Sequence, residues 1–246
     1  MKRTLQRILQ RTLGLPAYLD LFARYRLLSG RFDRGDDAFR AFLAKLPDDG
    51  TVLDIGANVG VMTVHLARHV RRGTAHAFEP NPLSNRAAGR LTTRLGLSNV
   101  VLHPLALART SGEVEMVMPV ELAVRQHGLS HVVADGGDST PGDRFRVPCR
   151  ALDEMLEWFE PGARVTGIKI DTEDYEAEVF EGGRKLLATH RPLVYCELWL
   201  TPNRDRTVAL MRVLGYQAMV YRNGALEPFD PWPHASTQDF FFVPEA

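Results

Sequence analysis

The sequence predicts a doubly wound α/β domain, in which helices cover both faces of a mostly parallel sheet. Short β-branched runs alternate with helical stretches from residue 50 onward, and right-handed crossovers between such strands place helices on both faces. The final two predicted strands have no helix between them, so the last strand is expected to run antiparallel to the rest. A chain of 246 residues is long enough for one such domain with its own core.

Residues 1–49 predict a helical extension that precedes the sheet. Apolar residues recur at helical spacing over residues 1–14 and arginines occupy the other faces, which is typical of a basic amphipathic helix. Two uses of this helix remain open, because its apolar face can pack on the domain itself or contact a membrane surface. A second helix is predicted over 36–46, ending before Pro47. The face shared by the apolar residues comprises Leu5, Ile8, Leu9, Thr12 and Leu13.

Residues 50–246 predict the sheet domain, which contains a long insertion. Residues 119–143 are polar, rich in glycine and without clear periodicity, and long irregular segments inside compact domains are usually functional or mobile. The predicted strands are 51–55, 73–78, 99–107, 113–118, 145–149, 165–170, 193–198, 216–221 and 239–243. The predicted helices among them are 59–71, 82–95, 152–159, 175–188 and 205–214.

Composition excludes several classes of protein. Lys plus Arg and Asp plus Glu both number 30, so the net charge is zero and there is no general positive field for binding nucleic acid. The two cysteines are too far apart in sequence for a C-x-x-C pair. No apolar run approaches the length that spans a bilayer, and no signal peptide is evident. We therefore expect a cytoplasmic protein that binds no nucleic acid.

The segment after the first strand predicts a nucleotide-type binding loop. Gly56 and Gly60 permit the sharp turn and a close approach of backbone to a ligand. A dinucleotide fingerprint reads G-x-G-x-x-G, whereas this loop reads G-x-N-x-G with Asn58 at its centre and Asp54 two residues ahead. A carboxylate there repels pyrophosphate but suits a cationic amino group, which S-adenosylmethionine carries.

A second acid ends the second strand. Glu79 follows the strand at 73–78, and the ends of the first two strands lie side by side in a doubly wound sheet. At that place a carboxylate can accept hydrogen bonds from both hydroxyls of a ribose. The two strand-end acids together are a stronger signal than either alone.

With these motifs the chain resembles the FkbM-type methyltransferases of the class I S-adenosylmethionine-dependent group, over roughly residues 50–244. One departure stands out, since the family usually has glycine after the Lys-Ile-Asp-x-Glu segment and this chain has Asp174 followed by Tyr175. That extra carboxylate is expected to alter the acceptor pocket or the start of the next helix. The segments that carry the resemblance are 54–60, 77–82, 95–100, 106–107, 150–153, 168–173, 191–192, Glu197 and 239–244.

The resemblance implies a seven-stranded sheet with the last strand antiparallel, and O-methylation of a sugar, polyketide or similar hydroxyl. It also implies S-adenosylmethionine as cofactor. The cofactor contacts that it implies are Asp54, Gly56, Asn58, Gly60, Glu79, Asn81 and Ala106.

Four residues are our candidates for catalysis. Asp171 and Glu173 match the family's acids at the end of the fourth strand, and His127 and His131 lie in the insertion. A base must reach the acceptor hydroxyl, and histidine has the better-matched pKa. Glu197 is a further strand-end candidate. No metal site is expected, because paired acids alone do not provide the several oxygen ligands that Mg²⁺ or Ca²⁺ needs.

We expect the acceptor, a small molecule or glycan, to bind among the insertion, the N-terminal helices and the ends of the fourth and fifth strands. Two other functions stay open. One is a protein that binds S-adenosylmethionine or a nucleoside without transferring a methyl group. The other is an NAD-dependent oxidoreductase, which Asn58 and Asp54 disfavour. The acceptor's identity and the oligomeric state do not follow from the sequence.

Overall fold

The computed structural model describes residues 3–29, 36–133, 137–231, 234 and 236–245. The strands are β1 (Thr51–Ile55), β2 (Thr74–Phe78), β3 (Val100–His103), β4 (Ala106–Ala108), β5 (Gly112–Glu121), β6 (Val124–Arg125), β7 (His131–Val132), β8 (Gly142–Ala151), β9 (Val165–Ile170), β10 (Leu193–Glu197), β11 (Tyr216–Arg222), β12 (Ala225–Pro228) and β13 (Asp239–Pro244). The helices are α1 (Arg3–Leu13), α2 (Leu15–Ser29), α3 (Asp36–Lys45), α4 (Val61–His69), α5 (Pro82–Arg94), α6 (Glu176–Glu181), α7 (Arg184–His190) and α8 (Pro202–Val213).

The main sheet has the doubly wound topology that the sequence predicts. Within the described residues eight strands pair in the order β12-β11-β13-β10-β9-β1-β2-β3. The strands from β10 to β3 are parallel, and β13 runs antiparallel between β10 and β11. The mostly parallel sheet and its antiparallel last strand are therefore confirmed.

The expected count of seven strands is wrong, because β12 adds an edge strand. β11 and β12 pair antiparallel across the two-residue loop of Asn223 and Gly224. Both residues have positive φ, at 51° and 86°, as a tight turn matched to the strand twist requires. The sequence pattern does not predict this strand, since four residues beside a turn show little periodicity.

A second, smaller sheet corrects two further predictions. The expected third strand over 99–107 divides at Pro104 and Leu105, so that β3 stays in the main sheet and β4 pairs with β8. The insertion 119–143 is more regular than predicted, because β6 and β7 pair with β5 and a 3₁₀ turn spans His127–Leu129. The smaller sheet has the order β4-β8-β5-β6, and β7 also pairs with β5.

Three helix predictions also change. The predicted helix 175–188 is two helices, because Gly182 and Gly183 pack tightly on neighbouring segments: a Cβ on Gly182 would lie 2.1 Å from the carbonyl oxygen of Ala108. The predicted helix 152–159 is a 3₁₀ helix at Leu152–Trp158. Helix α2 was not predicted, and it follows Gly14, which takes a φ of 74° after α1.

The core fixes the sheet and brings four strand ends together. The side chains of β1 and β9 are almost wholly buried, including Leu53 and Ile170, and α3 packs Phe42 against Tyr195 of β10. Parallel strands β1, β2, β9 and β10 then present their carboxyl ends at one edge, where ligands bind in open α/β sheets. In the part of the chain that the structure describes, no helix is both long and apolar enough to cross a bilayer.

Candidate active site

Two adjoining cavities lie at the carboxyl edge of the sheet, around the loop that follows β1. The larger is about 520 Å³ and the smaller about 70 Å³. Glu79 and Ala106 line only the smaller one, whereas Lys169 and Glu197 line only the larger one. Both cavities are lined by Gly56, Asn58, His127, Gly128, Asp171 and Glu173.

Gly56 is required by both its backbone angle and its surroundings. Its φ is 76°, and a Cβ on it would lie 1.8 Å from the carbonyl oxygen of Asp171. Gly60 has a φ of 83° but lines neither cavity, and a Cβ there would lie 2.9 Å from the Cβ of Ala88. The first glycine therefore shapes the cavity, while the second permits α4 to pack on α5, and its ligand contact stays a prediction.

Glu79 is held in the smaller cavity by the loop itself. Its Oε2 accepts the backbone N–H of Asn58 at 2.7 Å, and its Oε1 accepts that of Asn81 at 2.8 Å. Burial raises the pKa of Glu79 to about 7, although these two hydrogen bonds lower it. Each oxygen keeps a further lone pair for a hydroxyl donor.

Asn81 has a structural role at the start of α5, and its contact with a cofactor stays a prediction. Its Oδ1 accepts the backbone N–H of Leu83 at 3.0 Å and caps α5. Its Nδ2 donates to Ser130 Oγ at 3.3 Å, which ties the helix to the insertion. The side chain lines neither cavity.

Asp54 lies behind the loop, outside both cavities. It is fully buried, and Thr63 Oγ1 donates to its Oδ2 at 2.6 Å. Its Oδ1 lies 3.4 Å from Lys169 Nζ, and that ammonium group donates to the carbonyl oxygen of Gly56 at 3.0 Å. The cation that faces Asp54 is therefore the chain's own Lys169, and a contact of Asp54 with a cofactor amino group stays a prediction.

Lys169 also links this buried acid to the cavity. Its Nζ lies 3.9 Å from Asp171 Oδ2. Burial lowers the pKa of Lys169, but Asp54, Asp171 and Glu197 together raise it above its ordinary value. Lys169 therefore stays protonated, and its contacts with Gly56 and Asp171 link the loop after β1 to the end of β9.

Carboxyl groups dominate one wall of the larger cavity. Burial, with Asp171 and Glu197 nearby, raises the pKa of Glu173 to about 8. Burial, with Asp171 and Asp239 nearby, raises that of Glu197 to about 7. The pKa of Asp171 is raised by burial and lowered by Lys169, with a net rise. Protonated carboxyl groups near neutral pH make this wall both a donor and an acceptor of hydrogen bonds.

Sequence reasoning missed two residues of this wall. Tyr195 donates its hydroxyl to Asp239 Oδ1 at 2.5 Å, and both residues line the larger cavity. Two signals were available: Tyr195 stands two residues before Glu197 and so shares its face of the strand, and Asp239 begins the last strand. Glu197 and Asp239 are direct cross-strand partners.

Asp174 occupies a backbone conformation that favours glycine. Glu173 and Asp174 have φ values of 56° and 73°, and side chains other than glycine take this region at a cost. The Asp174 carboxylate accepts a hydrogen bond from Thr201 Oγ1, next to the start of α8. It lines neither cavity, so the departure from the family pattern affects the turn between β9 and α6.

The two histidines of the insertion differ in their surroundings. His127 Nδ1 lies 3.0 Å from Asn58 Oδ1, and the ring packs edge-on against Phe22. Burial, with Arg26 nearby, lowers the pKa of His127 to about 4, so it is neutral at pH 7. His131 lines neither cavity, and oxygen acceptors face both its ring nitrogens at 2.9 and 2.7 Å. The role of His131 as a base stays a prediction.

Helix α2 supplies a wall that sequence reasoning did not find. Tyr18, Phe22 and Arg26 line the larger cavity. Their spacing of four residues, which places them on one helical face, was the available signal. Among the described residues there is no group of three or more His, Cys, Asp or Glu side chains arranged to hold a metal ion.

Three curated proteins show sequence similarity to this chain. Methyltransferase 1 of Beauveria bassiana is 24% identical over 151 residues, covering 57% of this chain and 61% of that protein. Methyltransferase sdnD of Sordaria araneosa is 24% identical over 165 residues, covering 57% and 62%. The AMB antimetabolite synthetase AmbE of Pseudomonas aeruginosa is 26% identical over 223 residues, covering 75% of this chain and 10% of that protein. The chain thus spans about three fifths of the two methyltransferases and a tenth of the synthetase.

Solved structures show the same fold. A methyltransferase FkbM from Methylobacillus flagellatus superposes with a TM-score of 0.50 at 13% identity, covering 92% of this chain and 59% of that one. A protein assigned as an O-methyltransferase from Klebsiella pneumoniae gives a TM-score of 0.52 at 13% identity, covering 99% and 97%. The family model of the methyltransferase FkbM domain matches residues 54–221. The chain therefore belongs to the FkbM methyltransferase family.

Proposed function

We propose that this protein transfers the methyl group of S-adenosylmethionine to a hydroxyl of a small-molecule or glycan acceptor. The observation that carries the proposal is Glu79, which ends β2 inside a cavity with both carboxylate oxygens oriented by backbone N–H groups of the adjoining segments. Such a carboxylate is suited to a pair of vicinal hydroxyls, as on a ribose. The family membership supports the same reaction class.

The smaller cavity has the chemistry that the nucleoside part of the cofactor requires. Glu79 would accept hydrogen bonds from the ribose hydroxyls. The apolar side chains of Leu105, Leu107 and Met116 would contact the adenine ring. Asp171 lines both cavities, so its carboxyl group is suited to the cofactor's amino group. When bound, S-adenosylmethionine supplies an electrophilic methyl group on a sulfonium centre.

Glu173 is our candidate for the general base. Its carboxyl lines both cavities and its pKa is raised to about 8, close to the pH at which a base must accept a proton. His127 lines both cavities too, but its pKa of about 4 makes it a weak base. We assign His127 to orienting Asn58 and to closing the cavity, and Asp171 to positioning beside Lys169.

The larger cavity is our candidate for the acceptor site. Its lining includes aromatic side chains of α2 and the carboxyl groups at the ends of β9 and β10. Apolar walls with a few convergent polar groups are typical of small-molecule sites, and carboxyl groups recognise hydroxyls. Holding a hydroxyl in line with the methyl group supplies much of the rate in such a displacement.

Calorimetric titration with S-adenosylmethionine and S-adenosylhomocysteine tests the cofactor, with Glu79→Gln as the variant. The amide keeps the shape but removes the charge and one acceptor oxygen, so we expect binding to weaken at least tenfold, about 1.4 kcal/mol. Glu157→Gln, an exposed carboxyl on the 3₁₀ helix, is the matched control and should bind like the wild type. Tighter binding of NAD, or no binding by the folded protein, would contradict the proposal.

Transfer itself is tested with radiolabelled methyl groups over a panel of glycosides and polyols. We expect the rate with an accepted substrate to rise with pH through about 8, as Glu173 loses its proton, and Glu173→Gln to lose about 10²–10⁴-fold in kcat. Cofactor binding without transfer to any member would favour a non-catalytic binding protein.

A further inference from the structure

Helix α1 turns its apolar face outward. Leu5 is 46% exposed, Ile8 51% and Leu13 47%. Leu5, Ile8, Leu9 and Thr12 share one face because they are three or four residues apart. Leu9 packs partly against a hydrophobic core cluster, whereas Leu5, Ile8 and Thr12 stay exposed.

The polar side of α1 holds the helix in this orientation. Gln10 is buried, its Oε1 accepts the backbone N–H of Arg125 at 2.9 Å, and its Nε2 donates to the carbonyl oxygen of Arg125 at 3.0 Å. Arg3 adds an ion pair with Glu121 at 2.8 Å. Rotating the helix to bury Leu5 would leave the amide and the strand edge unpaired, which is costly for buried groups.

Helix α2 extends the exposed apolar surface. Leu21, Tyr25 and Leu28 are spaced by four and three residues and so lie on one face. All three are exposed, with Leu28 at 82%. Large apolar side chains are therefore exposed on both of the first two helices.

Positive charge accompanies these apolar side chains. A recess of about 590 Å³ is lined by Arg7, Arg11 and Arg125 together with Ile8. Within the described residues, neither Arg7 nor Arg11 has an acidic partner. Over residues 3–29 there are five arginines and one acid, Asp20, which pairs with Arg90.

We propose that α1 docks this protein on an anionic lipid surface, with its apolar face among the acyl chains and its arginines at the lipid phosphates. An exposed apolar face flanked by arginines is the pattern of helices that lie in the interface, and anionic headgroups attract each arginine near the surface. A second copy of the chain fits less well, because two such faces would bring like charges together. Arg125 lines both the recess and the larger cavity, so the lipid surface would lie beside that cavity.

Sedimentation with vesicles tests the proposal. We expect the protein to partition onto phosphatidylcholine vesicles that contain phosphatidylserine and to stay in solution with phosphatidylcholine alone. High salt should release it, because it screens the headgroup attraction. The double variant Arg7→Gln with Arg11→Gln should lower the partition coefficient about thirtyfold. Leu5→Ser with Ile8→Ser should lower it at least tenfold.

Matched controls lie on α8, where Arg212 and Val213 are exposed. Arg212→Gln and Val213→Ser should bind vesicles like the wild type, and circular dichroism with thermal unfolding checks that each variant is folded. Equal binding to neutral and anionic vesicles, or binding that both double variants retain, would overturn the proposal. A concentration-dependent dimer that Leu5→Ser with Ile8→Ser abolishes would assign the face to a second copy instead. None of these readouts depends on methyl transfer.

Discussion

At the scale of single residues, two acids with the same sequence context have different roles. Asp54 and Glu79 each mark the carboxyl end of a strand, yet Asp54 is buried against Thr63 and Lys169 whereas Glu79 lines a cavity. The difference arises because Lys169, on the neighbouring strand β9, neutralises the first carboxylate from within the sheet. Sequence patterns locate such acids but do not show which partner each one faces.

Asp174 provides a residue-scale prediction. Replacing it with glycine should raise the free energy of unfolding by about 0.5–1 kcal/mol, because glycine takes a φ of 73° without the steric cost that a Cβ brings. Part of the gain is offset by loss of the exposed hydrogen bond with Thr201. Urea unfolding measures the change.

The control for this prediction is Asp174→Asn, which keeps an acceptor for Thr201 and tolerates the left-handed region, so its stability should stay within about 0.5 kcal/mol of the wild type. If glycine lowers stability instead, the hydrogen bond outweighs the backbone strain and the explanation fails.

At the scale of secondary structure elements, a single side chain decides how α1 attaches. Gln10 pairs with the backbone of Arg125, 115 residues away along the chain. The amphipathic pattern predicts that α1 is a helix, but the pattern alone favours burial of the apolar side. The two hydrogen bonds between Gln10 and the edge of β6 instead hold the helix with its apolar side facing away from the domain.

Gln10→Ala should therefore loosen α1 while leaving the main sheet intact. Removing the amide removes both part-buried hydrogen bonds to the backbone of Arg125, at a cost of about 0.5–1.5 kcal/mol for each bond. Hydrogen exchange should become at least tenfold faster over residues 3–13 and stay unchanged in β1 and β9. Gln6→Ala is the comparison on the same helix, and it should have a smaller effect. Unchanged exchange in α1 would mean that other contacts hold it.

At the scale of the whole molecule, buried carboxyl groups couple stability to pH. Glu79 and Glu197 have pKa values raised to about 7 and Glu173 to about 8, mainly by burial. Their ordinary value is 4.5, so near neutral pH the folded state holds protons that the unfolded chain has released. The free energy of unfolding must then fall as pH rises toward these values.

Buried histidines act in the opposite direction at lower pH. Burial lowers their pKa to about 4, so below their ordinary value of 6.5 the unfolded chain binds protons that the folded state does not. Only from about pH 7.5, roughly one unit above that ordinary value, are they almost wholly neutral in both states, so that the carboxyl effect stands alone. These histidines are His65, His76, His103 and His127.

We therefore expect the free energy of unfolding to decrease from about pH 7.5 to pH 8.5, as measured by urea denaturation at several pH values. Glu173→Gln should flatten the slope between pH 7 and 8.5, since the amide does not ionise, whereas the exposed Glu157→Gln should leave it unchanged. A stability that rises over this range in the wild type would show that the three carboxyl groups are not buried as described.

The doubly wound sheet, the antiparallel last strand, the glycine loop and the strand-end acids all follow from the sequence, because they depend on local periodicity and on the rule that parallel strands end at one edge. Tertiary structure alone decided which of those acids face the cavity, that the segment after β3 leaves the main sheet, and that α1 turns its apolar face outward. Each of these depends on one contact between segments far apart in the chain, as between Lys169 and Asp54 or between Gln10 and Arg125. Such a contact produces no periodic pattern in either segment, so it forms no part of a sequence-based prediction and is seen only in the folded chain.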